Sequence, residues 1–176
     1  MNEVINEQFG TVTFVLGLAG SGKTYLIKNL VHDGCVIEER FALDCKYHNH
    51  LASELKKGKR CIISEQQLML SDCRDKYIKK LKNDVGKHFY INWICFENDP
   101  TSANINCLAR KDEEKESYDP YGNRHVDMNN EWTSRYTYPA GATIVKVYRQ
   151  PNIATQTTVE STSTPPPQHP QVITTP

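Results

Sequence analysis

A glycine-rich segment, Gly17-Leu-Ala-Gly-Ser-Gly-Lys-Thr24, lies between an apolar run and a pattern typical of an amphipathic helix. It satisfies G-x-x-x-x-G-K-[ST], in which glycines let the backbone turn its N–H groups inward around phosphate oxygens. The positive end of the helix beginning near Lys23 adds to the attraction for an anion. The sequence therefore predicts a phosphate-binding turn between a strand and a helix. The residues predicted to contact phosphate are Gly17, Leu18, Ala19, Gly20, Ser21, Gly22, Lys23 and Thr24.

Short apolar runs alternate with helical patterns along the rest of the chain. Such alternation favours an α/β fold with a mainly parallel sheet covered by helices on both faces. We expect a three-layer fold of the P-loop NTPase type with five strands and a helical lid. The predicted strands are Thr11–Leu16, Cys35–Ile37, Cys61–Ser64, Tyr90–Phe96 and Thr143–Val147.

The composition changes sharply near residue 151. The last 26 residues contain six prolines, seven threonines, one charged residue (Glu160) and no aromatic side chain. Such a segment has too little apolar surface to fold by itself. We therefore expect one folded domain over residues 1–152 and a disordered Thr/Pro-rich tail over residues 153–176, whose partner, if it has one, the sequence leaves unknown.

Charge and cysteine usage restrict the class of protein. With 21 Lys+Arg against 21 Asp+Glu, the chain lacks the basic excess of proteins that hold nucleic acid mainly through a positive surface. No apolar run approaches the roughly 20 residues that a transmembrane helix needs, and the first residues do not resemble a signal peptide. The six cysteines include no Cys-x-x-Cys pair, so we expect reduced thiols and a cytoplasmic protein without a membrane partner.

A phosphate loop indicates a nucleotide but does not define a reaction. The guanine-binding signature Asn-Lys-x-Asp is absent, and motors and helicases are longer, so a phosphoryl transferase that uses ATP and Mg²⁺ is the expected class. The Thr24 hydroxyl is placed to bind Mg²⁺. Glu65, which follows the third predicted strand, either orients Mg²⁺ through water or caps the next helix.

The sequence resembles small P-loop kinases of the polynucleotide-kinase and zeta-toxin type, including compact versions encoded by bacteriophages. Beyond the phosphate loop, the resemblance rests on Cys61-Ile-Ile-Ser-Glu65 with Leu68 and Arg74, and on Trp93-Ile-Cys-Phe-Glu-Asn-Asp-Pro100 continuing to Arg110. It covers most of residues 11–148. It implies an ATP-dependent kinase, located in the host cytoplasm if phage-encoded, whose acceptor is a hydroxyl of a nucleotide, a nucleic-acid 5′ end or a small molecule.

In that family a carboxylate just beyond the second strand activates the acceptor hydroxyl. This chain offers Glu38, Glu39 and Asp44 there; Glu39 is the first choice and Asp44 the alternative, although the family usually has Asp where this chain has Glu39. Arg110 opens a polar segment that ends at Arg124 and looks like a mobile lid. Lid arginines in such kinases stabilise charge on the transferred phosphoryl group; Arg110 is the first choice for this role and Arg124 the second.

A second function class remains open. Because the expected base departs from the family pattern, the chain is alternatively a regulatory or accessory module that binds ATP without turnover. ATP consumption with and without hydroxyl acceptors distinguishes the two.

Overall fold

A computed structural model describes residues 9–31, 35–38, 45–113, 122–149 and 172–173 of the chain. Its strands form one sheet in the order β2-β3-β1-β4-β5-β6, in which the first five are parallel and β6 is antiparallel to β5. The strands are β1 (Gly10–Leu16), β2 (Cys35–Glu38), β3 (Arg60–Ser64), β4 (Phe89–Phe96), β5 (Thr143–Val145) and β6 (Val172–Ile173).

The helices lie between these strands in the chain, as the alternation of patterns predicted. A short 3₁₀ helix, Gln66–Met69, follows β3 directly. The α-helices are α1 (Lys23–Leu30), α2 (Cys45–Lys56), α3 (Ser71–Val85), α4 (Pro100–Glu113) and α5 (Gly122–Thr133).

The strand count of five was wrong, because the sheet has a sixth strand. β6 comes from the segment that composition predicted to be disordered, and its two residues pair with Ile144 and Val145. The rest of that segment lies outside the described residues. The spacing of Met128, Trp132 and Tyr136 in the sequence predicts a helix that includes all three residues, but α5 ends at Thr133 and Tyr136 forms an isolated bridge with Leu70.

One face of the sheet carries the larger part of the core. Side chains that alternate along β1, including Val12, Phe14 and Leu16, pack with Leu51 and Leu55 of α2 and with α3. Burial of this apolar area is the main force that holds α2 and α3 to the sheet. Right-handed crossovers place both helices on this face, because the chain moves in the same direction across the sheet from β2 to β3 and from β3 to β4.

The opposite face is covered by α1. Ile27 of α1 packs on Val15, Ile62 and Phe96. Val145 and Val147 complete this smaller cluster. The connection from β1 to β2 runs across the sheet in the opposite direction, so its right-handed crossover puts α1 on this side. Both faces therefore carry helices, with a single short helix on this one in the described part of the chain.

Two buried polar side chains, those of His48 and Arg74, join neighbouring elements. On α2, the fully enclosed His48 ring lies 2.6 Å from an Asp84 carboxylate oxygen and 3.4 Å from the Tyr77 hydroxyl, both on α3. The Arg74 guanidinium donates to the Leu68 and Thr137 carbonyl oxygens, at 3.1 and 3.0 Å, which ties α3 to the segment after α5. The cysteines whose side chains are described, Cys61, Cys73, Cys95 and Cys107, form no disulfide. No described helix is long and apolar enough to cross a membrane.

The interactions of the Glu54 carboxylate should make the stability of the folded domain depend on pH. Hydrogen bonds from Lys57 and then Lys59 lower its pKa from 4.5 to about 2. A carboxylate with a depressed folded-state pKa contributes stability above its unfolded value, and loses it as the pH falls towards the folded value. Glu54→Gln should therefore lower the free energy of unfolding at pH 7 and flatten its decline between pH 4.5 and 2, measured by urea denaturation.

The control is Asp72→Asn, which removes an exposed carboxylate 3.8 Å from Arg135. Exposed ion pairs contribute little, and a carboxylate in the first turn of a helix adds at most about 1 kcal/mol, so this variant should keep the acid profile of the parent far more closely than Glu54→Gln. Equal acid profiles for the parent and Glu54→Gln would contradict the assignment.

Candidate functional site

The glycine-rich segment leaves the carboxyl end of β1, at the centre of the parallel strands. β1 pairs with β3 on one side and with β4 on the other. After β1 the chain continues to β2 and β3, which lie on one side of β1 in the sheet, and then to β4 and β5, which lie on the other side. The carboxyl end of β1 is therefore a topological switch point. Such points are where open α/β sheets bind ligands.

The glycines of the loop are required by packing and by backbone conformation. An ideal Cβ on Gly17 would lie 2.6 Å from the Ser21 hydroxyl oxygen and 2.9 Å from Cβ of Phe96. Gly20 and Gly22 have positive φ angles, 79° and 105°, that side chains rarely adopt. The loop can thus turn sharply into α1 while lying close to the sheet.

The N-terminus of α1 is suited to an anion. Gly22 is the residue before the helix, no side chain caps the first turn, and no acidic residue lies in that turn. Backbone N–H groups in a first helical turn lack intrahelical partners and carry the positive end of the helix dipole. The Lys23 ammonium donates to the Gly17 and Leu18 carbonyl oxygens, both at 2.8 Å, so a cation is held at the same loop.

Two tyrosines that the sequence interpretation did not select flank this helix end. The ring of Tyr25, in the first turn of α1, lies 5.6 Å from the ring of Tyr148, which follows β5. The Tyr148 backbone N–H donates to the Ser21 carbonyl at 3.1 Å, and both rings are about half exposed. An exposed aromatic surface therefore lies beside the phosphate loop, and Thr24 is exposed in the same helical turn.

Glu65 lies at the end of β3 and is mostly buried. Its Oε1 accepts a hydrogen bond from the Gln67 backbone N–H at 2.9 Å, so it caps the 3₁₀ helix, one of the two roles expected for it. Burial raises the pKa of this carboxyl, while the Gln67 N–H and the charge of Lys23 act in the opposite direction. A carboxylate thus lies within electrostatic reach of Lys23 at the carboxyl edge of the sheet.

Two buried asparagines, also missed from sequence, reach the loop from the helices that follow β4. Asn129 of α5 accepts from the Ala19 N–H at 2.9 Å and donates to the Ala19 carbonyl at 3.0 Å. Asn106 of α4 donates to the Gly20 carbonyl at 2.9 Å and to the Tyr148 carbonyl. No sequence signal identifies them, because Asn129 and Ala19 are 110 residues apart and Asn is common on solvated helix faces.

The residues predicted to serve the acceptor are only partly described. Glu38 ends β2, and Arg110 lies in α4, but the structure describes only their backbone; Glu39 and Asp44 lie outside the described residues. Arg124 lies in the first turns of α5 and is exposed. The predicted lid segment is partly helical, because α4 extends to Glu113 and α5 begins at Gly122.

No protein-family model matches the sequence, and a search of curated proteins gives no match. Among solved structures, the chain is similar to a gluconokinase from Sinorhizobium meliloti 1021, with 12% sequence identity and a TM-score of 0.48. The alignment covers 81% of this chain and 85% of the gluconokinase. A likeness at this level establishes neither the family nor the activity of this chain.

Gly20→Ala tests whether the loop lies as close to α4 as described. Its Cβ would lie 2.3 Å from the Ala103 carbonyl oxygen and 2.8 Å from the Cys107 sulfur. Left-handed strain and overpacking together should lower the free energy of unfolding by roughly 2–5 kcal/mol. Chemical denaturation measures this loss.

The matched control is Gly141→Ala. Gly141 has a similar φ, 72°, but nothing lies within 4 Å of its Cβ position, so only strain of about 1–2 kcal/mol should appear. Equal losses in the two variants would show that Gly20 is not packed against α4.

Proposed function

We propose that this chain is an ATP-dependent kinase that transfers the γ-phosphoryl group to a hydroxyl acceptor. The observation that carries the proposal is the uncapped N-terminus of α1, where the Lys23 ammonium is hydrogen-bonded to the loop that precedes the helix. Phosphoryl transfer requires positioned positive charge more than covalent chemistry from the protein. This loop supplies N–H groups, a helix end and a cation in one place.

In the proposed enzyme, Lys23 leaves the Gly17 and Leu18 carbonyls and binds the β- and γ-phosphates of ATP. The backbone N–H groups of Gly20, Gly22, Lys23 and Thr24 hold the phosphate chain, whereas that of Ser21 donates to the Leu18 carbonyl at 3.2 Å. The aromatic surface of Tyr25 and Tyr148 lies beside the loop, which suits it to contact with the nucleobase.

The oxygen donors near the loop fit Mg²⁺, which prefers hydroxyl, carboxylate and phosphate oxygens. Thr24 is exposed in the first turn of α1, and Glu65 is a carboxylate within electrostatic reach of Lys23. These two residues would hold the ion with the phosphates of ATP. The ion would neutralise charge on the phosphate chain during transfer.

On the acceptor side, we propose that Glu39, or alternatively Asp44, accepts the proton of the attacking hydroxyl. Arg110 and Arg124 belong to the two helices on either side of residues 114–121. We propose that they stabilise charge on the transferred group while α4 and α5 keep water from the reaction. The acceptor is a nucleotide, a nucleic-acid 5′ end or a small molecule.

Lys23→Ala should abolish phosphoryl transfer and weaken ATP binding by at least about tenfold, since a charge-assisted contact to phosphate is removed. The domain should stay folded, because Lys23 serves the loop and not the apolar core. Calorimetric ATP titration measures the affinity. Lys28→Ala, which removes an exposed lysine from the last turn of the same helix, is the control. Unchanged ATP affinity in Lys23→Ala would exclude the donor site.

Glu39→Gln and Arg110→Ala separate an enzyme from a binding module. Neither residue is required to hold ground-state ATP, so each change should lower kcat by about a hundredfold or more with little effect on ATP affinity. Steady-state kinetics with an acceptor found by screening oligonucleotide 5′ ends, nucleosides and metabolites measures this. A silent Glu39→Gln with an impaired Asp44→Asn would move the base to Asp44. If no acceptor supports ATP turnover in the parent, the chain is an ATP-binding module.

A further inference from the structure

The peptide group that joins Leu18 to Ala19 is held from both ends. Its carbonyl oxygen, on Leu18, accepts from the Lys23 ammonium at 2.8 Å. Its N–H, on Ala19, donates to Oδ1 of Asn129 at 2.9 Å. A charged side chain that binds phosphate in the proposed function and a neutral side chain from α5 therefore orient the same peptide plane.

The Asn129 amide is itself fixed in place. Its Nδ2 donates to the Ala19 carbonyl at 3.0 Å and to Oδ1 of Asn104, on α4, at 2.9 Å. The side chain is fully buried, and in a buried site an amide that lost these partners would be left unsatisfied at considerable cost. Rotation of the Asn129 side chain is thus strongly disfavoured, and the Ala19 backbone is held with it.

Asn106 extends the same arrangement by one residue. It is 4% exposed, and its Nδ2 donates to the Gly20 carbonyl at 2.9 Å. Consecutive carbonyl groups of the loop, those of Ala19 and Gly20, therefore point towards α5 and α4 respectively. Because the N–H of a trans peptide points away from its carbonyl, the Gly20 N–H is turned away from α5, where an anion can bind. The Ser21 N–H instead donates to the Leu18 carbonyl at 3.2 Å.

We propose that Asn129 is a positioning residue that holds the phosphate loop in the shape that binds a triphosphate. The inference rests on the proposed function. The Leu18 carbonyl also accepts from the Ser21 N–H at 3.2 Å, a hydrogen bond within the loop itself. When Lys23 moves from this carbonyl to phosphate, the peptide group between Leu18 and Ala19 keeps that local hydrogen bond and the one from its N–H to Asn129, which comes from outside the loop. Preorganisation of this kind raises affinity because the loop does not have to be ordered when the ligand binds.

The proposal also links the loop to the helices on either side of residues 114–121. Asn129 and Asn104 belong to α5 and α4, which pack against each other. Any displacement of α5 relative to the loop has to break the two hydrogen bonds to Ala19. Phosphate affinity should therefore depend on where this pair of helices lies.

The test compares Asn129→Ala with Asn130→Ala. Asn130 is the next residue on α5; it is exposed and accepts from the same Asn104 at 3.0 Å, but it does not contact the loop. Dissociation constants for Mg·ATP and for Mg·tripolyphosphate, which has the phosphate chain without the base, are measured by calorimetry, and melting temperatures by circular dichroism. Asn129→Ala should weaken both ligands by about tenfold, the effect of losing a well-formed buried hydrogen bond. Asn130→Ala should bind both as the parent does.

Asn129→Asp keeps the test decisive if Asn129→Ala does not fold. The aspartate fills the same volume and can still accept from the Ala19 N–H, but it cannot donate to Ala19 or Asn104, and it places a negative charge against the loop. It should also weaken both ligands. Parental affinity in either folded Asn129 variant, or an equal loss in Asn130→Ala, overturns the positioning role alone. A parent that binds neither ligand overturns the proposed function together with it.

Discussion

The hydrogen bonds of the peptide group between Leu18 and Ala19 are the contacts on which the site depends. Lys23 and the Ser21 N–H donate to its carbonyl, and its N–H donates to Asn129. Lys23 binds phosphate in the proposed function, whereas Asn129 does not and continues to order the loop. A backbone turn by itself would have to be ordered by its ligand, and that entropy would be subtracted from affinity. In this chain Asn106 of α4 and Asn129 of α5 order the loop before a ligand binds.

The topology makes these contacts possible. β1 lies between β3 and β4, so its carboxyl end faces the residues that follow both neighbours: Glu65 after β3, and α4 after β4. The glycines of the loop then allow it to pack closely against the sheet and α4. At Gly20 the space that a side chain would need is taken by the Ala103 carbonyl and the Cys107 sulfur. The phosphate loop is therefore packed between the sheet and α4 and does not stand alone as a flexible surface turn.

Features that depend on residues close together in the sequence could be predicted. The strand–loop–helix order around the eight-residue motif and the burial of β1 both follow from neighbouring residues. Contacts between residues far apart in the chain could not be predicted from the sequence. The 110-residue separation of Ala19 and Asn129 leaves no periodic signal. Tyr148 lies beside the loop because it follows β5. The sixth strand was missed because two apolar residues, Val172 and Ile173, do not outweigh a Thr/Pro-rich composition.

The most direct measurement is a crystal structure of the chain with Mg²⁺ and a non-hydrolysable ATP analogue. We expect the phosphate chain at the N-terminus of α1, with the Lys23 ammonium moved from the Gly17 and Leu18 carbonyls to phosphate oxygens. Both hydrogen bonds between Asn129 and Ala19 should persist. A nucleotide bound elsewhere, or a triphosphate in the loop with Lys23 still on those carbonyls and Asn129 released, would contradict it.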